Sequence, residues 1–273
     1  MADAHIYQIF YNEETRGQLD PGFAPLDNLS NERPDWREYW PMRRFLLGRT
    51  MVENDYYGFF SPRFREKTNL SSDQVREFIG RSGNNADVVI FSPFSDMSSL
   101  FLNVFEQGDF FRPGLLQTAQ DFADLIGLDV SIENIVTDSR NTVFCNYFVA
   151  RPRFWTAWLD VNEKLFHAAE IGSENRDLQN RLNSVFKRRN ELVQFKVLIL
   201  ERVASLILAT TRRFSTKAYN PFMLSRSHTR FRKFTLESVV CDALKISLVE
   251  QNYAGYKEAF FHVRQRVREA IKK

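Results

Sequence analysis

Apolar and polar positions follow extended and helical periods along most of this chain, and the order of those periods predicts an α/β sheet. His5 to Tyr11, rich in aromatic and β-branched residues, reads as a first strand that stops at Asn12-Glu-Glu-Thr15. Gly17 to Pro34 holds Asp20-Pro-Gly22, Pro25 and Leu26-Asp-Asn28, too much turn chemistry for a regular element, and reads as a long functional or mobile loop. A helix is expected over Asp35 to Leu47 and a second strand over Tyr56 to Phe60. Ser71-Ser-Asp-Gln74 has the pattern of a capping box and opens a helix to about Arg81, before the turn Ser82-Gly-Asn-Asn85. Asp87 to Phe91 is the third strand.

Beyond it, Leu100, Phe101, Val104 and Phe105 repeat at helical spacing, as do Leu116, Ala119, Phe122, Ala123 and Ile126, a set ending at Gly127. Thr142 to Ala150 reads as a fourth strand broken at Arg151-Pro152, and a helix follows from Phe154 to Ala169. After the polar link 172–176 the pattern is helical. One long segment runs from Leu178 to Thr211, two more lie around Leu236 to Glu250 and Tyr253 to Ile271, and Lys217 to Phe222 can add an edge strand. Strands alternating with helices imply a sheet that is at least partly parallel. The expected organisation is an α/β core over 1–176, completed by a helical C-terminal region over 177–273.

Composition narrows the class. With 44% apolar and 26% charged residues the chain is an ordinary globular protein, and its 26 Phe imply aromatic packing and an apolar rim around a cleft. A formal net charge of +3 is too small to make nucleic acid the default partner. Cys145 and Cys241 lie in apolar surroundings without metal-type spacing and read as buried thiols of a reducing compartment. The start of the chain lacks a signal-peptide pattern and no apolar run approaches a membrane span, so the expected location is the cytoplasm.

No Gly-rich phosphate loop, Cys/His zinc spacing or Gly-x-Ser-x-Gly elbow is present. The candidate chemistry is therefore positional. Strand 87–91 runs into Ser92-Pro-Phe-Ser-Asp96, and ligands gather at the carboxyl ends of such strands. Asp96 can bind a metal, a sugar hydroxyl or a phosphate-bound cation, or it can cap the helix that begins there. Glu201-Arg202 interrupts an apolar segment, and a charge there needs a partner or a cleft. Structural pairing and a general base are both open. Asn146 is a strongly polar side chain in an apolar strand, either a satisfied core amide or a ligand contact, with Asp138 just upstream. Arg226, His228, Arg230, Arg232 and Lys233 form either a solvated face or a phosphate clamp.

Ile6-Tyr-Gln-Ile-Phe-Tyr-Asn-Glu-Glu-Thr15, Pro25-Leu-Asp-Asn28, Glu38-Tyr-Trp-Pro-Met-Arg-Arg-Phe45 and Asp55-Tyr-Tyr-Gly-Phe-Phe-Ser-Pro62 resemble bacterial polysaccharide glycosyltransferases of the capsule and lipopolysaccharide type. Asp87-Val-Val-Ile-Phe-Ser-Pro93, Cys145-Asn-Tyr-Phe-Val-Ala150 and Glu201-Arg-Val-Ala-Ser205 extend the resemblance to about residue 210. It implies a GT-A-like, mixed and mostly parallel sheet flanked by helices, with a helical C-terminal extension. It further implies transfer of a sugar from a nucleotide diphosphate sugar, with UDP as the expected carrier, to a bacterial glycan acceptor. A lipid-linked acceptor would bring the protein to the inner face of the cytoplasmic membrane.

On that resemblance, Tyr11 and Asn12 flank the nucleobase and ribose, and Asp96 lies near the donor sugar or a divalent cation. Arg226, His228 and Arg230 approach the diphosphate, Asn146 touches sugar hydroxyls, and Glu201 or Asp138 serves as base. The family's Asp-x-Asp metal motif is replaced here by Ser92-Pro-Phe94 with Asp96 further on. That departure leaves the diphosphate charge to Arg and Lys, or to Mn²⁺ or Mg²⁺ held by fewer carboxylates. The alternative class is a non-enzymatic module binding nucleic acid or another polyanion through the basic C-terminal helices.

Overall fold

The computed structural model describes residues 2–81, 86–170, 175–188 and 191–272. Its strands are β1 (Ala4–Phe10), β2 (Ala24–Asp27), β3 (Tyr56–Phe60), β4 (Val88–Ile90), β5 (Phe148–Ala150), β6 (Val185–Arg188), β7 (Glu191–Gln194) and β8 (Thr216–Ala218). Six of them form one sheet in the order β2-β1-β3-β5-β4-β8, and β6 and β7 form a separate antiparallel pair. β1 runs parallel to β2 and β3, and β4 parallel to β8, whereas β5 is antiparallel to both neighbours. Gly58 sits opposite Val149, and a Cβ on it would come within 2.7 Å of the Val149 side chain, so the β3–β5 pairing needs glycine there.

Both faces of the sheet are covered, which is why β3, β4 and β5 are buried along their whole length. On one face the helix Pro152–Glu170 sets Trp155 and Trp158 against Tyr57, Phe59, Val88 and Phe148. The other face packs Phe60, Val89 and Val149 against Phe64, Val75 and Ile79 of the helices Phe64–Thr68 and Ser72–Arg81. The expected mostly parallel mixed sheet with flanking helices is what forms. Residues after 176 are woven into it: β8 closes one edge, and Leu178, Leu182, Leu198 and Val203 share the Trp155 core.

Five stretches differ from the sequence expectation. The helix expected over 35–47 is a 3-10 turn, Pro34–Trp36, then a left-handed Arg37 and a helix from Tyr39, and Leu100 and Phe101 lie in the irregular link before the helix Val104–Phe111. β2 lies inside the stretch expected to be irregular; as an edge strand beside β1 it tolerates Pro25, whose missing N–H is not needed there. The expected strand 142–150 survives only as β5. Upstream of it the backbone donors of Val143 and Phe144 are taken by the hydroxyls of Ser205 (2.8 Å) and Ser92 (2.9 Å) instead of by a strand. The long helix expected over 178–211 is the helix Arg176–Asn183, the β6–β7 hairpin, and the helices Phe195–Leu200 and Val203–Thr210. Short apolar runs do not distinguish strand from helix, and Val185-Phe-Lys-Arg and Glu191-Leu-Val-Gln resolved as strands. The turn 82–85 and the start of the link 172–176 lie outside the described residues.

The C-terminal helices Thr235–Gln251 and Ala254–Lys272 pack as a hairpin beside the helix Ser95–Ser98. Lys245, fully buried, fastens it by donating to the carbonyls of Ser98 (2.9 Å), Phe101 (2.9 Å) and Thr137 (2.5 Å). Burial pushes this ammonium below its ordinary pKa, opposed by the charges of Asp242 and Asp138. Among the described residues no helix is long and apolar enough to cross a membrane.

Asp87 ties β4 to β8: Arg153 Nε donates to its carboxylate at 2.6 Å, and Ser215 donates through N (2.8 Å) and Oγ (2.9 Å). Burial alone would raise the Asp87 pKa, but Arg153 and Ser215 outweigh it and hold it below the ordinary 3.8. A carboxyl depressed in the folded state stabilises above its unfolded pKa, and that contribution is lost as pH falls from 3.8 through the folded value. Asp87→Asn is therefore expected to cost about 2 kcal/mol at pH 7. Urea midpoints of wild type and variant should converge below pH 3.8.

Candidate functional site

Because β1, β2, β3 and β4 run the same way and β5 runs against them, the segments leaving four strands and the segment entering β5 meet at one edge of the sheet. A cleft follows that edge in three recesses. The outer recess, about 540 Å³, lies beyond β1 and β2 under the β6–β7 hairpin and is lined by Tyr11, Asn28, Arg37, Glu38 and Gln194. A narrow central recess of about 30 Å³ shares Arg37 and Glu38 with it and adds Lys67, Cys145, Asn146 and Glu201. The inner recess, about 380 Å³, shares Cys145 and Glu201 with the central one and is walled by Phe94, Phe111, Phe144 and His228. The shared residues make the three a single run.

Two features set this run apart. Buried Oδ1 of Asn28, Oδ1 of Asn146 and Oε1 of Gln194 accept no hydrogen bond, and all three residues line the outer or central recess. An unsatisfied buried acceptor costs about 1–3 kcal/mol, a cost that ligand donors would remove. Backbone strain concentrates in the same place. Among the described residues, seven other than glycine adopt positive φ, and Asn31, Arg37, Phe94, Cys145 and Asn146 all line the cleft. Such residues cost about 1–3 kcal/mol each and persist where surrounding structure holds them for a purpose. Cys145 (φ 60°) and Asn146 (φ 53°) are consecutive. They are held by Tyr147, whose buried hydroxyl meets Ser61 Oγ at 2.5 Å, and by the start of β5.

Glu201 ends one apolar helix and Arg202 precedes the next, so the chain breaks between them. Arg202 turns inward to the carbonyls of Val104 (2.8 Å) and Leu198 (2.7 Å) and to Gln107 Oε1 (2.9 Å). A Cβ on Gly108 would collide with its guanidinium at 2.8 Å, which explains glycine in that helix. Glu201 does not pair with Arg202: its carboxylate makes no hydrogen bond or ion pair with a described residue and faces the central and inner recesses. Lys67 stands across from it and donates to Cys145 Sγ at 3.3 Å; of the two cysteines expected to be buried only Cys241 is, and Cys145 is half-buried because it opens onto the cleft. Burial works against the Lys67 charge, but Cys145, Tyr147, Glu38 and Glu201 outweigh it and raise its pKa.

The other candidates are placed as follows. Tyr11 lines the outer recess, while Asn12 caps the helix Glu13–Gly17 through Thr15 N at 2.8 Å. Asp96 is buried and accepts from Ser227 N (3.0 Å) and Ser227 Oγ, so its carboxylate anchors the loop that carries His228. Asp138 is buried away from the cleft in an ion pair with Arg140 at 2.8 Å. Within the basic run only His228 lines a recess: Arg226 donates to Thr235 and to the Arg232 carbonyl, and Arg230 to the Ile271 carbonyl at 2.9 Å. Among the described residues no three His, Cys, Asp or Glu side chains converge as metal ligands. The donor set around Asp96 does not fit a divalent cation.

Lys67, Arg37 and Gln194 were not singled out from the sequence, and Asn28 entered only as part of the 17–34 loop and of the segment Pro25–Asn28. Lys67 carries a usable signal, a cation in the short helix directly after β3; Arg37 and Gln194 carry none. Comparison with family models, curated proteins and solved structures gives no match.

Since Glu201 has no described partner to lose, Glu201→Gln is expected to leave folding stability within about 0.5 kcal/mol of wild type. Paired urea titrations at pH 7 check this. A loss of several kcal/mol would show that the carboxylate is structurally paired.

Proposed function

We propose that the outer recess binds a nucleoside diphosphate sugar, with its sugar end at the mouth of the central recess, and that the protein transfers the sugar to a glycan acceptor. The observation that carries this reading is the run of unsatisfied buried acceptors, Asn28 and Gln194 in the outer recess and Asn146 in the central one, along the carboxyl edge of a mostly parallel sheet. A nucleobase and ribose offer N–H and O–H donors in an apolar disc, which suits Tyr11, Asn28 and Gln194. The sugar hydroxyls would then reach Asn146.

In this reading the diphosphate lies between the two, near Arg37 and Lys67, which takes the place assigned from sequence to Arg226 and Arg230. Cations at that point would stabilise the charge that builds on the leaving diphosphate as the glycosidic bond breaks. Glu201, which lines both the central and inner recesses, would take the proton of an acceptor hydroxyl entering past Phe111 and His228. Asp96 and Asn12 act by positioning, through the Ser227 loop and the first helix. The polyanion alternative rests on Arg226, Arg230, Arg232 and Lys233, which are exposed and line none of the three recesses.

The test is a thermal-shift panel of nucleoside diphosphates and their sugars. UDP is expected to stabilise the protein by about 2.7 kcal/mol at a hundredfold excess over Kd, and Asn28→Ala to weaken that shift. With a donor that shifts the wild type, Glu201→Gln should keep the shift and cut sugar transfer by roughly 10²-fold. No stabilisation by any nucleoside diphosphate at millimolar concentration would overturn the reading. Stabilisation by heparin or DNA that collapses with salt would favour the polyanion module instead.

A further inference from the structure

We propose that Cys145 is a modification site, a thiolate held against the Lys67 ammonium that attacks peroxides and soft alkylating electrophiles entering the cleft. Four observations place it there. The Lys67 Nζ donates to Cys145 Sγ at 3.3 Å and lies 5.5 Å from the centre of the Tyr147 ring, and it makes no ion pair with a carboxylate among the described residues, so sulfur is its hydrogen-bond partner. Cys145 lines both the central and inner recesses, which gives a small reagent a path to the sulfur. Its left-handed backbone, continued at Asn146, fixes the direction of the thiol. Finally, Asn146 is only 5% exposed and presents an unpartnered Oδ1 in the central recess, able to accept from a hydroperoxide O–H beside the sulfur.

The electrostatics agree. Burial penalises the Lys67 cation, and the negative charge of Cys145 is the strongest influence restoring it. That coupling is reciprocal, so Lys67 favours the thiolate by the same amount. Arg63 acts in the same sense, while the carboxylates of Glu38 and Glu201 face the pair and act against the thiolate, and Tyr147, its pKa raised by burial, stays neutral. Cys241 is the internal contrast: fully buried among Met97, Leu100 and Phe101, its pKa is pushed up by burial to about 11.

With hydrogen peroxide the step balances simply. The Cys145 sulfur attacks one peroxide oxygen, an S–O bond forms and the O–O bond breaks. The departing hydroxide takes a proton from the Lys67 ammonium and leaves as water. Sulfur is oxidised by two electrons to a sulfenic acid and the peroxide is reduced.

The experiment follows alkylation of the full chain by iodoacetamide between pH 5 and 9, with peptide mass spectrometry reading Cys145 and Cys241 separately. Cys145 is expected to react roughly tenfold faster than Cys241 at pH 7, with half-maximal rate below the value of about 8.5 for an ordinary thiol. Lys67→Met should move that midpoint upward and Lys67→Arg should largely restore it. Brief peroxide treatment followed by dimedone should label wild type at Cys145, and Cys145→Ser should lose that adduct. A wild-type midpoint at or above about 8.5, or a Lys67→Met profile superimposable on wild type, overturns the proposal. If Lys67→Met does not fold, the wild-type midpoint and the ratio between the two cysteines decide it alone. Nucleotide binding is not part of the readout, so the outcome is independent of the proposed transfer reaction.

Discussion

The antiparallel placement of β5 between β3 and β4 is the constraint on which the cleft depends. Had β5 run parallel to its neighbours, residues 145–147 would have entered at the opposite edge of the sheet. Because it runs against them, Tyr147 reaches Ser61 just after β3, and Phe144 meets Ser92 just after β4. Cys145 and Asn146 are thereby brought beside Lys67. Gly58 permits this arrangement by leaving room for Val149, and the buried aromatic layers on both faces hold it.

The treatment of buried cations separates structure from candidate function. Lys196 is almost fully buried but meets Asp35 at 2.7 Å and Asn183 at 3.0 Å, with the ring of Trp36 beneath it. Lys245 finds three carbonyls, and Arg202 finds two carbonyls and a side-chain amide. Each satisfies its charge within the fold, as buried charges must. Lys67 has a sulfur as its hydrogen-bond partner, with Glu38 and Glu201 acting on it from a distance. The cleft is one place where the protein leaves buried polar groups unanswered, and five of the seven left-handed non-glycine residues among the described ones line it. Both features carry an energetic cost that the rest of the core offsets, as expected where ligand contacts replace internal ones.

Local pattern was enough to determine the strands β1, β3 and β4, the helices Ser72–Arg81, Leu115–Leu125 and Pro152–Glu170, and the C-terminal pair, because each carries its own period and end signals. It also marked Glu201 and Asn146 as polar groups in need of a reason, since a charge or amide in an apolar run is conspicuous without knowing its neighbours. Tertiary structure decided what those reasons are. Asp96 and Asp138 read alike with Glu201 as carboxylates near apolar elements, yet Ser227 and Arg140, 131 and two positions away, occupy the first two and leave the third open. The strand expected over 142–150 was cut short by Ser92 and Ser205, whose hydroxyls lie far along the chain. The contact of Lys67 with Cys145 spans 78 positions and has no local signature at all. Periodicity reports only which face of an element is buried. Partner identity belongs to sheet order, which one reversed strand set here.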